Sequence, residues 1–330
     1  MQATTEVPMW KRVLGLFVGL LLACLLLWWA SARVSWSAFS KACATAEWGW
    51  LGLGILLSVG NLGLKALRWS LFFTSDVGMR QTFPAMMTGY FFNLFLPGKS
   101  GELARVYAFS RQYERPFAQV LATIVVERLL DALCLLGFVG CAMFFLQLAL
   151  PKTAGLVLVA LVLSMGLAGL SLVWARVSWV DRGIRAVCGC FPAKIGSLGV
   201  SFYEQFQSGL RGLKGGKQWF LLCGLQLSIW GVEAINFSIF MGTFGISIDF
   251  AAVVFVMGAV VFGSTILATP GQVGSFQIFA VKALVLFQVA EAQALGFAVV
   301  MHGVLFGIMV TIGGGCVLAL QRRSARKTQD

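Results

Sequence analysis

The stretch "TIVVERLLDALCLL" (123–136) sets Glu127, Arg128 and Asp131 inside an apolar run. Insertion scales put one such residue at mid-membrane at about 2.5–3.5 kcal/mol, and Glu127 falls roughly 12 Å into the segment. On a helix Glu127 and Asp131 share a face at i, i+4, and Arg128 reaches Asp131 at i+3. Like charges on one face call for another cation or a shared proton; Lys99 and Arg105 are the candidates. Three roles fit. The two carboxylates could act as general acid and base on a lipid headgroup, the cluster could line a polar substrate cavity, or the charges could simply pin helices together.

A second group of residues sits in a turn. "FFNLFLPGKSGELAR" (91–105) ends in a Gly-rich break carrying Lys99, Glu102 and Arg105. Its "GKS" looks like the tail of a phosphate loop, but the Gly required five residues before Gly98 is Asn93, so nucleotide binding is excluded. The pattern recurs: "LPGKSGEL" (96–103) and "TPGQVGSF" (269–276) share P-G-x-x-G, pairing Pro97, Gly98 and Gly101 with Pro270, Gly271 and Gly274. Pro withholds a backbone donor, and Gly lets the chain turn and bare consecutive N–H groups, which suit a phosphate. Corresponding Gly/Pro breaks in two halves of a membrane protein point to a transporter's binding site. Asn93 reads equally as a cap of the break or as a headgroup contact.

These residues need helices in lipid to hold them. With 59% hydrophobic and 12% charged residues and a mean hydropathy of +0.87, the 330-residue chain is expected to be all-α, a polytopic integral membrane bundle forming one domain over 1–330. Apolar runs predict eight spans near 13–30, 49–73, 119–148, 154–175, 219–242, 251–269, 276–291 and 293–320. Ala30-Ser31-Ala32 resembles a signal-peptide cleavage site, but Trp28 and Trp29 just before it favour a retained first helix. Segment 84–97 is too short to cross and reads as a re-entrant half-helix.

Lys and Arg crowd one side of this map. Lys11, Arg12, Lys65, Arg68, Arg80, Lys99, Arg105, Arg111, Arg115, the loop 176–218 and the tail 321–330 fall inside; only Arg33, Lys41 and Lys152 fall outside. That predicts both termini, 1–12 and 321–330, in the cytoplasm, with the chain in the bacterial inner membrane. Topology thus accounts for the net charge of +12 without nucleic acid. In loop 176–218, Leu198, Phe202, Phe206, Leu210 and Leu213 form a stripe, read as an interfacial helix on anionic lipid or as a helix packed beneath the bundle. The cysteines are scattered, Cys188 and Cys190 lack a zinc or redox spacing, and no cofactor or metal is expected.

Other polar groups carry alternatives. Glu233, with Asn236 three residues on, lines a cavity or bonds a neighbouring helix. Lys282 touches phosphate or snorkels to a surface. His302 reads as a bonded packing residue rather than a proton relay.

Taken together, N-x-x-L-P-G-x-x-G-E-x-x-R (Asn93 to Arg105, with Leu96) followed by E-R-x-x-D (Glu127, Arg128, Asp131) resembles the flippase-like family. This is the membrane region of lysylphosphatidylglycerol synthase, also called the multiple peptide resistance factor. The resemblance covers about 10–320 and implies a bundle with re-entrant segments that moves lipids between leaflets. Relatives are associated with aminoacylated phosphatidylglycerol, hopanoids and polyprenyl-linked glycans. It carries over Asn93, Pro97, Gly98, Gly101, Glu102, Arg105, Glu127, Arg128, Asp131, Pro270, Gly271 and Gly274. One departure is Gln277, where the family usually has Glu. The chain is expected to be a stand-alone member without the aminoacyl-transferase domain, more a transporter of anionic lipids than an enzyme, with a lipid-modifying transferase as a candidate partner.

Overall fold

The structure is a computed structural model that describes residues 36–73, 77–96, 99–147, 178–210, 216–267 and 269–327, with a few positions between 161 and 171. The expected spans 13–30 and, but for those positions, 154–175 lie outside the described residues, as do Pro97, Gly98 and Leu213. Among the described residues the chain is all-α, with twelve α-helices. They are α1 (Trp36–Ala44), α2 (Gly49–Ser70), α3 (Met79–Asn93), α4 (Gly101–Tyr113), α5 (Phe117–Phe145) and α6 (Ser178–Gly189). There follow α7 (Ala193–Leu210), α8 (Gly216–Thr243), α9 (Phe250–Ile266), α10 (Ser275–Val285), α11 (Glu291–Ile308) and α12 (Gly314–Lys327). A 3₁₀ turn (Pro270–Gln272) precedes α10, and one π-helical stretch (Met309–Gly313) joins α11 to α12.

Among the described residues three segments are long and apolar enough to cross a membrane: Gly49–Ser70, Lys217–Thr243 and Glu291–Arg322. Helix α5, at 29 residues, is roughly 43 Å long and carries the three charges of the ERLLD stretch. Helix α3 has 15 residues, about 22 Å against a hydrocarbon core of about 30 Å, and is too short to cross. The seventh expected span is corrected: 276–291 holds an 11-residue helix, about 16 Å long. The chain leaves it in a turn where Gln288 takes a left-handed φ of 61°. Eight crossings therefore do not follow from this architecture.

The chain divides into two compact units. One comprises Met1–Ser58, Gly89–Glu102 and Ala234–Gly315. Within it α10 packs against α9 and α11, and α11 against α1. Phe237 packs at a tilt against Phe276 and Phe297, all three buried, and Asn236 Nδ2 donates to Ser58 Oγ at 2.9 Å.

The other unit comprises Val59–Thr88, Leu103–Glu233 and Cys316–Asp330. Its α4 ends where Glu114 turns left-handed (φ 53°), and Pro116 opens α5 from the N-cap position, where a missing N–H costs nothing. Trp69, Phe73, Phe109 and Tyr113 form an aromatic chain across α2 and α4. Helix α7 lies on α5 with Tyr203, Gln207 and Leu210 buried, whereas Leu198 and Phe202 are exposed. The stripe expected as one face is thus split: its start faces outward and Leu210 packs inward.

Gly209 sets the approach of α7 to α5. A Cβ there would stand 2.2 Å from the Gln119 carbonyl oxygen and 2.9 Å from Ala122 Cβ. Gly209→Ala must push the helices apart and is expected to cost about 1–3 kcal/mol. Thermal unfolding in detergent checks it, with Gly183→Ala, where nothing lies within 4 Å, as the unaffected control.

Candidate functional site

The charged cluster is built on α5 and closed by three other helices of its unit. Glu127 accepts a two-pronged bond from Arg105 of α4, Nη1 to Oε1 at 3.2 Å and Nη2 to Oε2 at 2.9 Å. Arg68 of α2 lies 3.0 Å from Glu127 Oε1 and donates to Asp131 Oδ1 at 2.5 Å. Arg128 bonds Glu127 and lies 3.2 Å from Asp131 Oδ2. Gln226 of α8 completes the ring, donating to Asp131 Oδ1 at 3.0 Å while its carbonyl oxygen accepts from Arg68. The Arg105 guanidinium also lies 3.7 Å above the Trp69 ring, and the Trp69 indole donates to Thr123 Oγ1 at 3.0 Å.

Burial divides this cluster in two. Arg68, Arg105 and Glu127 are at most 1% exposed, so they act as a clamp between helices. Isolated burial of any one would cost several kcal/mol, and only mutual pairing with good geometry offsets it. At the outer edge the Arg128 side chain is 41% exposed and Asp131 15%. The inner three residues are bonded to one another and pin the helices; the outer pair keeps exposed surface.

Of the two counter-cations expected from sequence, Arg105 is in place, and Arg68 takes the other position. Lys99, in the other unit, donates to Thr265 Oγ1 at 2.8 Å. Arg68 is buried in the cluster, and Lys65 pairs with Glu233 at 3.2 Å. Glu233 also accepts from Asn61 Nδ2 at 2.7 Å, so it bonds a neighbouring helix. Sequence reasoning missed Arg68, Gln226 and Asn61. The available signal was spacing: Asn61, Lys65 and Arg68 recur at i, i+4, i+7 on one face of an apolar helix.

The two turns form a separate site in the other unit. Both put a left-handed residue after the Pro-Gly pair, Lys99 (φ 55°) in the first and Gln272 (φ 60°) in the second. Gly271 and Gly274 are left-handed as well. The turns also meet, because a Cβ on Gly271 would come 3.2 Å from the Leu94 carbonyl oxygen. Gly101 opens α4 so close to α3 that a Cβ would stand 2.2 Å from the Gly89 carbonyl oxygen.

The bared amides expected for a phosphate are in part already used. Asn93 Oδ1 accepts the Gly101 N–H at 2.8 Å, and Gln277 Oε1 accepts the Gly274 N–H at 2.8 Å. Asn93 therefore caps the first break from the helix before it, whereas Gln277 caps the second from the helix after it. Gln277 Nε2 bonds His302 Nδ1 at 2.8 Å, and His302 Nε2 bonds the Gly271 carbonyl at 2.8 Å. A carbonyl only accepts, so His302 carries its proton on Nε2 and receives the Gln277 amide on Nδ1. His302, stacked on Phe276 at 5.0 Å, is a bonded packing residue. Pro270 is buried in the same turn, Glu102 lies in the first turn of α4, and Lys282 is exposed on α10. Gln277→Ala strips a buried amide and a buried imidazole of partners; a loss of about 1–3 kcal/mol is expected in thermal unfolding.

The family described as the lysylphosphatidylglycerol synthase TM region matches residues 16–314. A Haloferax volcanii protein named glycosyltransferase AglD is 25% identical over 95% of this chain. The chain spans only 55% of that protein's length. A UPF0104 membrane protein of Methanothermobacter thermautotrophicus is 23% identical over 89% of each chain. A UPF0104 membrane protein of Pyrococcus horikoshii is 22% identical over 95% of this chain and 98% of its own. No solved structure matches.

Proposed function

This chain belongs to the lysylphosphatidylglycerol synthase TM-region family, and from that premise we propose that it moves an anionic or phosphate-bearing lipid between the leaflets of the cytoplasmic membrane. The observation that carries this reading is the half-exposed Arg128 guanidinium, held in place by two acids at the rim of a buried cluster. The ring joins three guanidiniums to two carboxylates. Its outermost member is a planar donor already aimed, the form in which arginine binds phosphate best. Away from bulk water that attraction is weakly screened. The paired Pro-Gly breaks, the second of which has Pro270 and Gly271 buried, support the same reading, since non-helical backbone at membrane depth is tolerated where protein or a wet cavity surrounds it. The Lys/Arg asymmetry of the sequence supports both termini lying in the cytoplasm.

The test is leaflet exchange in liposomes containing the purified chain. Fluorescent phosphatidylglycerol in the outer leaflet is bleached by dithionite, and protein-dependent access to the inner pool is read from the extra bleaching. Exchange faster than in protein-free vesicles supports the proposal; equal rates sink it.

A second reading has one observation behind it. The relative named a glycosyltransferase matches this chain over about half of its own length, which suits a membrane part that serves a headgroup-modifying enzyme. Mass spectrometry of lipids from cells with and without the gene separates the two. New headgroup chemistry decides for modification, and unchanged chemistry with altered sidedness decides for transport.

A further inference from the structure

Helices α6 and α7 form a hairpin with three distinct faces. On the first, Tyr203, Gln207 and Leu210 are buried, and Gly209 brings the α7 backbone onto α5. On the second, Asp181 accepts from the Tyr203 hydroxyl and Arg185 donates to Glu204 at 2.8 Å, so the two helices are tied into one plate. The third is apolar and open: Trp179, Val187, Phe191, Ile195, Leu198 and Phe202 are each at least 46% exposed. Helix α6 has no buried residue at all. At the elbow a cleft of about 400 Å³ joins Arg185 and Ser197 to the apolar walls of Phe191 and Val200.

Neither bulk water nor the hydrocarbon core suits this plate. Six large apolar side chains exposed on one short hairpin are unusual in water. At 12 residues, α6 is about 18 Å long and carries Asp181, Arg182 and Arg185, so it cannot span. What fits is the boundary between the two, where rings and aliphatic chains sink beneath headgroups while basic side chains stay among them. The charge of the segment selects the lipid. Residues 176–218 hold seven Lys and Arg against two Asp and Glu, and basic residues at a surface draw anionic lipid.

We propose that the α6–α7 hairpin lies in the headgroup layer of an anionic leaflet, a foot that senses membrane charge and fixes the depth of α5 through the Gly209 contact. The foot is independent of the transport reading: its chemistry is that of a surface, and its test measures no transport.

The experiment uses the full chain in nanodiscs of phosphatidylcholine with or without phosphatidylglycerol. A photoactivatable lipid marks the residues it touches, and hydroxyl-radical footprinting marks those in water. Lipid adducts on 179–202 are expected, several-fold more with phosphatidylglycerol and fewer in high salt, while Glu204 and Ser208 stay open to radicals. Arg182→Gln with Lys194→Gln should lower the phosphatidylglycerol preference by about fivefold per charge. Rapid radical oxidation of Trp179, Phe191 and Phe202 without lipid adducts overturns the proposal, as do crosslinks to a second copy. Equal labelling in both lipids overturns the charge dependence. The wild-type measurement stands by itself if the variants fold poorly.

Discussion

Replacing Glu127 by alanine is expected to cost about 3–5 kcal/mol and to leave little folded protein after mild heating in detergent. The carboxylate accepts from Arg105 and Arg128 and lies 3.0 Å from Arg68. Without it, three guanidiniums face Asp131 alone, two of them buried. The uncompensated charge, more than any lost contact, sets the size of the effect. Glu127→Gln keeps the shape but not the charge and should fall nearly as far. Glu127→Asp keeps the charge at shorter reach and should recover part of the loss. Fluorescence-detected size-exclusion after a temperature ramp reads the outcome, and the melting point of the alanine variant should drop by at least roughly 6 °C. A wild-type melting curve would show that the cluster carries no structural weight.

Arg128→Gln is expected to do the opposite: leave the fold in place and remove leaflet exchange by roughly tenfold or more, the effect of losing one charge-assisted contact. Taking away Arg128 leaves Arg68 and Arg105 against Glu127 and Asp131, two charges of each sign. Its side chain is 41% exposed, and pairs at such positions contribute about 1 kcal/mol or less to stability. Arg128→Lys keeps the charge but not the two-pronged geometry and should restore exchange only in part. Collapse of the Arg128→Gln protein would make the residue a strut, and intact exchange would remove it from the lipid path. Set beside Glu127→Ala, the pair separates the clamp from its rim.

The candidate site was legible where the physics penalises a residue type. Glu127, Arg128 and Asp131 stood out because charges in an apolar span are expensive, and the two turns because Pro and Gly interrupt a helix visibly. The family resemblance drawn from those same residues agrees with the match over 16–314. The pairing of Arg68 and Lys65 was missed because Lys and Arg near a span's end look like topology signals, and spacing alone does not name an acid on another helix. The overlong reading of α10 has a similar cause. "LVLFQV" offers neither Gly nor Pro to mark a stop, yet Gln288 turns left-handed there. That Asn93 and Gln277 would cap their turns from opposite sides is a matter of hydrogen-bond direction, which composition and periodicity do not encode.

The long reach of the ion pairs also bears on how the molecule is made. Synthesis delivers α2 early, but Arg68 finds Asp131 63 residues later and Lys65 finds Glu233 168 residues later. A cation stranded in hydrocarbon meanwhile costs up to about 2.5–3.5 kcal/mol at mid-membrane and less near a helix end. A ribosome-fed helix with two such cations has no reason to drift away into lipid by itself. It must stay beside the insertion machinery, or ride high near the surface, until α5 and α8 emerge with their acids. Birth order, as well as the finished contacts, is therefore written into the positions of these four side chains.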